Sequence, residues 1–228
     1  MDLTPTPGTN PRIGVFGGTF DPIHIGHLAI VRWAQAELRL NSVRVIPTGQ
    51  SWQKARAGAN AQQRVDMLKL ALAGDPFAEI DEREVRRSGP TYTVETLESL
   101  RRELGTELAL VLILGSDQLH NLASWHRYDE ILQLAHIGVT QREDVRLSNF
   151  PPAVEALLKA HGADSLPNRA AGTIVFFRMP MVPVSATVLR QQIAAGQSPV
   201  ELVPAAVLDY INQHKIYRTQ QGINPLGT

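Results

Sequence analysis

The sequence predicts an α/β protein built on a doubly wound, mainly parallel β-sheet. Short apolar runs, typical of strands buried on both faces, alternate along the chain with longer segments of helical periodicity. A pair of glycines follows the first apolar run and leads into the first helical segment. Because strands and helices that alternate in this way pack as a parallel sheet covered by helices, these observations indicate the fold class.

Five apolar runs have the length and composition of buried strands. They span residues 12–16, 43–47, 109–114, 136–140 and 173–177. Helices are predicted at residues 25–39, 61–73, 93–104, 128–135, 152–161, 187–195 and 204–214. In the first helix, one face carries a stripe made of His27, Val31, Ala34 and Leu38.

Two polar stretches, residues 48–60 and 142–152, fit neither pattern and are predicted to be loops. Residues 12–218 are expected to form a single domain, with flexible tails at 1–11 and 219–228. In an open parallel sheet, ligands bind beyond the carboxyl ends of the strands. The residues that follow each strand are therefore the first candidates for a functional site.

The composition is that of a globular protein without overall charge. Of the 228 residues, 43% are hydrophobic and 19% are charged, and Lys and Arg number 22, as do Asp and Glu. Such a chain has no global field that attracts nucleic acid or an anionic membrane, so we expect neither as a partner. The absence of cysteine excludes disulfides and thiolate chemistry.

The sequence also bears on where the protein works. Residues 1–11 lack a basic region followed by an apolar run, so they do not form a secretory signal. The longest apolar stretch, residues 108–114, is too short to cross a membrane. We therefore expect the protein in the cytoplasm.

The strongest candidate for a ligand site is GGTFDPIHIGH, residues 17–27, which connects the first strand to the first helix. Glycines allow a tight turn and a close approach of the backbone to a ligand. Free amides and the helix dipole at such a helix start bind anions, of which phosphate is the natural guest. His24 and His27 are three residues apart, so both imidazoles can lie on one side of the helix start and donate to phosphate oxygens.

Each part of this segment also has an ordinary structural explanation. A pair of glycines occurs in many turns, and a single histidine beside a helix start is more often structural than a ligand. The combination is different, because glycines, a hydroxyl, an Asp-Pro break and two histidines all fall where a strand leads into a helix. The combination favours a phosphate site.

The same residues resemble the signature of the nucleotidyltransferase superfamily that carries the T/H-x-G-H motif. From residue 12 to residue 217 the chain resembles bacterial nicotinate-nucleotide adenylyltransferases, which implies a Rossmann-like nucleotidyltransferase fold and an adenylyl transfer from ATP. By this resemblance the ATP site includes Gly17, Gly18, Thr19, Phe20, His24 and His27, and the two histidines contact the ATP phosphates.

A second segment, GPTYTVETL at residues 89–97, resembles the S-Y-T-x-x-T-L turn of that family. The resemblance implies that Thr93 and nearby backbone groups hold the nicotinate carboxylate. From the residues alone, a Tyr-Thr pair at a helix start is more often only a helix cap. The chain departs slightly from the family pattern, because Thr91 stands where relatives have Ser.

A third segment places Gly115 and Asp117 directly after the most apolar strand. A carboxylate there can accept two hydrogen bonds from a ribose diol, although capping of the next turn is an equally good explanation. The resemblance to the family's G-x-D motif favours nucleotide binding by both residues.

Trp125 and His126 form a fourth candidate, in a short polar context where a core tryptophan is unexpected. The flat indole can stack on a pyridinium ring, and the positive charge of that ring adds attraction. The resemblance implies that both residues bind the nicotinate nucleotide. Relatives commonly have Tyr where this chain has His126.

The segment VSATVLR, residues 184–190, resembles the superfamily's I-S-S/A-T-x-I-R motif. By resemblance Ser185, Thr187 and Arg190 bind the triphosphate, and Arg190 can grip two oxygens at once. An arginine in the first turn opposes the helix dipole, a conflict that is typical of functional sites. Lys54 occupies the place of a basic residue in relatives and is assigned to both catalysis and the nicotinate nucleotide, although the preceding Pro-Pro-His pattern is missing.

The implied reaction is a direct attack of a nicotinate mononucleotide phosphate oxygen on the α-phosphorus of ATP, with Mg²⁺ carried in on the triphosphate. No protein metal site is expected, and Asp21 is interpreted mainly as a structural turn residue. Three alternatives stay open: nicotinamide mononucleotide or phosphopantetheine as acceptor, and a nucleotide sensor without catalysis. A dehydrogenase is disfavoured, because GGT is not G-x-G-x-x-G and no acidic residue ends the second strand.

Overall fold

A computed structural model describes residues 10–49, 58–142 and 150–218 of the chain. Six strands form one sheet in the order β3-β2-β1-β4-β5-β6, and every neighbouring pair is parallel. The strands are β1 (Arg12–Gly18), β2 (Ser42–Pro47), β3 (Ala78–Ile80), β4 (Ala109–Gly115), β5 (His136–Arg142) and β6 (Ile174–Met179).

The described residues also form nine α-helices and two short 3-10 turns. The helices are α1 (Ile25–Glu37), α2 (Ala61–Ala71), α3 (Arg83–Arg86), α4 (Thr93–Leu104), α5 (Ser116–His120), α6 (Ile131–Leu134), α7 (Pro152–His161), α8 (Ala186–Ala194) and α9 (Ala205–Gln213). The 3-10 turns are Leu122–Ser124 and Tyr128–Glu130. No helix in this part of the chain is both long and apolar enough to span a bilayer.

Two hydrophobic clusters cover the sheet, as expected for a doubly wound fold. One cluster takes its helical side chains from α1, α2, α8 and α9, including Val31, Met67, Leu189 and Val207. The other takes them from α4, α5, α6 and α7, including Leu97, Leu119, Ile131 and Val154. Each cluster also contains buried strand residues, so the sheet is the middle layer of three.

The first helix shows why the predicted stripe matters. Val31 and Ala34 are buried in α1, and Leu38, which caps the helix, is also buried. His27, at the start of the same stripe, is only half-buried. The apolar part of the stripe therefore packs on the sheet, and its first residue lies at the edge.

The chain order changes direction between β1 and β4, the two central strands. From β1 the chain proceeds to β2 and β3 on one side, and it then returns to place β4, β5 and β6 on the other side. In such sheets, a crevice opens beyond the carboxyl ends of the strands where the order reverses. Gly17, Gly18 and Gly115 form those ends, so two of the predicted motifs lie at this crevice.

The sequence prediction of a parallel, doubly wound sheet is confirmed, and all five predicted strands are present within two residues of their predicted ends. The prediction missed β3 and the short helices α3 and α5. In place of a helix from residue 128, a 3-10 turn precedes α6. Residues 50–57 and 143–149, which make up most of the two predicted loops, lie outside the described residues, as do most of the two predicted tails.

Candidate active site at the switch between the central strands

A cavity of about 120 Å³ lies at the carboxyl ends of the central strands. Its lining includes six residues that the sequence analysis assigned to substrate binding: Gly17, Gly18, Thr19, Thr93, Trp125 and His126. The glycine turn and the two predicted acceptor segments, which are far apart in sequence, thus share one cavity.

The glycine turn has two glycines in different surroundings. Gly17 is exposed, and no other part of the described protein lies within 4 Å of the position that its Cβ would occupy. At Gly18 a Cβ would lie 2.8 Å from the Phe20 ring, so this glycine allows the ring to pack against the backbone. Phe20 itself has a positive φ of 49° and is 1% exposed. Its side chain belongs to the core, so any contact of Phe20 with ATP is through its backbone.

The rings of His24 and His27 are stacked, with centroids 3.6 Å apart and planes inclined by 19°. The expectation that both imidazoles lie on one side of the helix start is therefore confirmed. Nδ1 of His27 accepts a hydrogen bond from the His24 amide at 3.3 Å. A neutral His27 consequently carries its proton on Nε2, which makes that atom a donor.

His24 is an uncharged imidazole at physiological pH. It is the N-cap of α1 and is 7% exposed, and burial lowers its pKa from 6.5 to about 4. Burial is the main cause of this shift, because it disfavours the charged imidazolium. Nδ1 of His24 is buried and has no hydrogen-bond partner among the described residues. A ligand that hydrogen-bonds to this nitrogen would satisfy it.

The start of α1 offers fewer free amides than the sequence suggested. The Ile25 amide donates to the Leu202 carbonyl at 3.0 Å, and the His27 amide donates to the His24 carbonyl at 2.9 Å. Gly26 allows Val184 to pack closely against the start of α1, because a Cβ on Gly26 would lie only 2.7 Å from Cγ1 of Val184. This glycine brings the start of α1 against the segment that leads into α8.

Asp21 connects the glycine turn to three other parts of the chain. Its carboxylate accepts hydrogen bonds from the amides of Gly58 (2.7 Å) and Ala59 (3.0 Å) and from the Tyr217 hydroxyl (2.7 Å). Its backbone carbonyl accepts from Nη1 of Arg190 at 2.8 Å. These contacts agree with the interpretation of Asp21 as a structural residue of the turn.

Arg190 lies close to the turn although 169 residues separate it from Asp21. Nη2 of Arg190 also donates to the Thr187 hydroxyl at 3.3 Å. Arg190 is the fifth residue of α8 and so lies just beyond the first turn, one position further along than expected. Ser185 is the exposed N-cap of this helix, and its side chain makes no capping hydrogen bond. The three predicted triphosphate ligands therefore surround the start of α8, next to the glycine turn.

Gly115 and Asp117 lie where the sequence expected them, at the end of β4. Gly115 is the N-cap of α5, and a Cβ on it would lie 2.6 Å from the Asp117 carboxylate. The absence of a side chain at position 115 is thus what allows the exposed Asp117 carboxylate to lie over the strand end.

Aromatic residues form part of the cavity lining. Trp125 is half-buried and lines the cavity, as does the exposed His126. The His126 ring is 4.5 Å from the Tyr92 ring, with an interplanar angle of 41°. Thr93 begins α4 next to this tyrosine. The structure therefore adds Tyr92, which the sequence analysis did not select, to the predicted acceptor wall.

Two buried charged residues support the cavity and were also missed. Glu84 is 8% exposed and lines the cavity. It accepts a 2.7 Å hydrogen bond from the Thr96 hydroxyl, and burial raises its pKa. Arg64 is 3% exposed and donates to the carbonyls of Thr19 (2.9 Å) and Thr48 (2.7 Å). Arg64 lies among apolar residues of a predicted helix, which was the available signal, whereas Glu84 lies in a charged segment that gave none. The partners of both residues are distant in sequence.

The other predicted site residues that the structure describes do not line the cavity. His24, His27 and Arg190 are grouped with Thr187 and Ser185 beside the turn, and Asp117 lies past the end of β4. Lys54 lies outside the described residues. Within the ranges that the structure covers, no three His, Asp or Glu side chains are grouped in a way that could hold a metal ion.

Comparisons with known proteins agree with this geometry. Residues 15–192 match the family described as Cytidylyltransferase-like. A protein of Cellvibrio japonicus named "Probable nicotinate-nucleotide adenylyltransferase" is 44% identical over 91% of this chain and 99% of its own length. A protein of the same name from Chromobacterium violaceum is 42% identical over 92% of this chain and 100% of its own length.

Solved structures share the fold at lower identity. Plasmodium falciparum nicotinic acid mononucleotide adenylyltransferase complexed with NaAD has a TM-score of 0.70 and 16% identity, with 91% of this chain and 97% of that chain covered. The same enzyme complexed with APC has a TM-score of 0.65 at equal identity and coverage. On the strength of the close relatives and the family match, the chain belongs to the nicotinate-nucleotide adenylyltransferase family of the cytidylyltransferase-like proteins.

Proposed function

We propose that this protein transfers the adenylyl group of ATP to nicotinate mononucleotide, giving deamido-NAD and pyrophosphate in NAD biosynthesis. One observation carries the proposal: the glycine turn and the segments that hold Thr93 and Trp125 line the same cavity. A phosphate site and an aromatic wall in one cavity suit a reaction between two nucleotides. The names of the close relatives and the fold shared with an NaAD complex support this reading.

Residues beside the turn bind the ATP phosphates. His24 and His27 act as neutral hydrogen-bond donors. Burial lowers the pKa of His24, and Nδ1 of His27 already accepts a hydrogen bond from the His24 amide. Arg190 supplies positive charge, with Ser185 and Thr187 as hydroxyl donors from the same helix start. Lys54, assigned from the sequence alone, is proposed to contact both substrates.

The rest of the ATP molecule contacts the ends of β1 and β4. The nucleotide lies close to the backbone of the glycine turn, since no side chain extends from its two glycines. The contacting residues are Gly17, Gly18, Thr19 and the Phe20 backbone. The Asp117 carboxylate accepts the ribose hydroxyls, and Gly115 leaves room for it.

The acceptor nucleotide occupies the aromatic side of the cavity. Trp125 stacks on the pyridinium ring, whose positive charge strengthens the contact. Thr93 and neighbouring amides hold the nicotinate carboxylate, and His126 completes the wall next to Tyr92.

The chemistry needs no covalent intermediate with the protein. A phosphate oxygen of the acceptor forms a bond to the α-phosphorus of ATP, and the bond between this phosphorus and the bridging oxygen of the β-phosphate breaks, which releases pyrophosphate. Charge grows on that bridging oxygen. The protein contributes by holding both phosphates in line and by stabilising the growing charge with His24, His27 and Arg190.

Mg²⁺ is proposed to enter with ATP, bound to the triphosphate oxygens. Asp21, the carboxylate of the turn, is not suited to hold the ion, because both of its oxygens already accept hydrogen bonds from the protein. The ion neutralises phosphate charge while it is bound, and it belongs to the substrate complex. A location in the cytoplasm stays a prediction, and so does the single domain from residue 12 to residue 218.

The test is pyrophosphate release from ATP and Mg²⁺ with nicotinate mononucleotide, nicotinamide mononucleotide or phosphopantetheine as acceptor. We compare the parent with His27→Ala, and with His214→Ala as a control at an exposed histidine. We expect release with the nicotinate compound, lost about 100-fold or more in His27→Ala and unchanged in the control. Release with another acceptor alone would overturn the substrate assignment, and ATP binding without any release would support a sensor.

A further inference from the structure

The carboxylate of Asp21 is 5% exposed and has its oxygens shared among three donors. Oδ1 accepts from the Ala59 amide and from the Tyr217 hydroxyl, and Oδ2 accepts from the Gly58 amide. The hydrogen bond from the Tyr217 hydroxyl is 2.7 Å long, as short as the one from the Gly58 amide. Asp21 is therefore occupied by neutral donors although a guanidinium lies beside it.

That guanidinium belongs to Arg190, and it does not form a close ion pair with the carboxylate. Nη1 of Arg190 is 3.9 Å from Oδ2 of Asp21, at the outer limit of a salt bridge, while the same nitrogen is 2.8 Å from the Asp21 carbonyl. A carboxylate and an arginine normally prefer a short, bidentate contact. The neutral donors to the Asp21 carboxylate compete with such an ion pair. Arg190 therefore donates to the backbone carbonyl of Asp21 instead.

Tyr217 is held firmly in this role. Its φ is 66° and that of Lys215 is 53°, both in the left-handed region that non-glycine residues rarely adopt. Between them Ile216 is buried in the core at 5% exposure. A strained backbone on both sides of a buried anchor persists only where the surroundings fix it, and such strain is common at functional sites.

Gly58 completes the arrangement. A Cβ on this residue would lie 2.9 Å from the Tyr217 ring and 3.4 Å from Cδ of Arg190. The Tyr217 ring and the Arg190 side chain therefore both pack against the Gly58 backbone. Burial and the neighbouring Asp21 raise the pKa of Tyr217, so its hydroxyl remains a donor throughout the physiological range.

We propose that Tyr217 is a positioning residue for ATP: by occupying the Asp21 carboxylate, its hydroxyl prevents Arg190 from closing an ion pair with Asp21 and keeps the guanidinium available to the phosphates. This inference rests on the proposed role of Arg190 in phosphate binding. Tyr217 itself does not touch the substrate. It acts through Asp21 and Arg190, across 196 residues of sequence.

The test compares Tyr217→Phe with Tyr210→Phe. Tyr210 donates to Asp66 at 2.8 Å, so the control also loses one phenol–carboxylate hydrogen bond, but away from the glycine turn. We expect Tyr217→Phe to raise the KM and the Kd for ATP about tenfold, the scale of one charged hydrogen bond, with the KM for nicotinate mononucleotide unchanged. Tyr210→Phe should leave all three constants unchanged. Equal effects of the two variants would overturn the proposal, as would equal losses for both substrates in Tyr217→Phe.

A second measurement asks whether Tyr217 acts through Arg190. In an Arg190→Ala background, we expect Tyr217→Phe to have no further effect on the Kd for ATP, because the side chain that it controls is gone. Additive effects would overturn the proposal. ATP binding is read by calorimetry, without any acceptor. If the parent releases no pyrophosphate, the proposed function fails, while the binding comparison still decides the role of Tyr217.

Discussion

The imidazoles of His24 and His27 face each other with their centroids 3.6 Å apart. Two positive charges at this distance in a partly buried site would repel strongly, so the pair carries at most one charge. Burial keeps the His24 ring neutral, because it lowers the pKa of His24 to about 4. The pair therefore presents hydrogen-bond donors to an anion without being a fixed dication.

The depressed pKa of His24 predicts how stability depends on pH. Between pH 6.5 and about pH 4, this histidine binds a proton in the unfolded chain but not in the folded one. The free energy of unfolding should therefore fall as the pH is lowered through this window, by up to about 3 kcal/mol from His24 alone. In His24→Asn the fall should be smaller, as measured by urea unfolding at a series of pH values.

A second buried histidine serves as the internal reference for that experiment. Burial also lowers the pKa of His136, so the variant should retain part of the pH dependence, with the same sign. Parallel curves for the parent and His24→Asn between pH 4 and 6.5 would contradict the assignment.

Gly17→Ala should separate ligand binding from stability. No other described part of the protein lies within 4 Å of the added methyl group, so the free energy of unfolding should change by less than about 0.5 kcal/mol. At the ATP site that we propose, the methyl group would occupy the space of the nucleotide, so we expect ATP affinity to fall about tenfold or more. Thermal unfolding and ATP calorimetry on the same sample test both parts. A large loss of stability would show that Gly17 has a structural role instead.

Gly26→Ala, unlike Gly17→Ala, should lower the stability of the protein. Its methyl group would lie 2.7 Å from Val184 and 3.1 Å from Nδ1 of His24. Overpacking of this kind costs about 1–3 kcal/mol, which exceeds the benefit of alanine in a helix. We expect a lower midpoint in denaturant unfolding, together with weaker ATP binding because His24 moves. A variant as stable as the parent would mean that α8 shifts easily away from α1.

Glu84→Gln should favour the acid nucleotide. Glu84 lines the cavity that we assign to nicotinate, so its charge repels the substrate carboxylate whenever it is ionised. Because burial raises its pKa, the repulsion should grow as the pH rises. We expect the variant to raise kcat/KM for nicotinate mononucleotide about threefold to tenfold at pH 8, and to have a smaller effect near pH 5.

Glu82→Gln is the matched control for this change. Glu82 is a neighbouring carboxylate that pairs with Lys69 at 2.9 Å and with Arg86 at 3.2 Å, and it does not line the cavity. It should leave kcat/KM unchanged at both pH values. An equal gain in the control, or an equal gain with nicotinamide mononucleotide, would refute a local charge effect.

Local patterns predicted the parts of the fold that local forces determine. The strand at Arg12–Gly18 and the turn that follows it were predicted because apolar residues, glycines and a helix start fall in one short segment. The strand at Ala78–Ile80 was missed for the opposite reason. It has three residues, and its pairing with β2, for example Ala78 with Val43, is what makes it a strand.

The same distinction separates the predicted and the missed parts of the site. The motif residues around His24 and Asp117 were predicted because each motif is contiguous in sequence. Arg64 and Tyr217 were missed, because their roles depend on distant contacts. Arg64 donates to the Thr19 carbonyl, and Tyr217 donates to the Asp21 carboxylate. No periodic pattern encodes such contacts, so only the folded chain reveals them.

The contacts of Asp21 also imply an order of events during synthesis. The glycine turn is synthesised before two of the residues that contact its Asp21. Arg190 and Tyr217 follow Asp21 by 169 and 196 residues. A ribosome-bound chain that already carries the whole glycine turn would still lack these two partners. The nascent protein should consequently gain its affinity for nucleotide only after residue 217 has been synthesised, and shorter chains should bind ATP weakly.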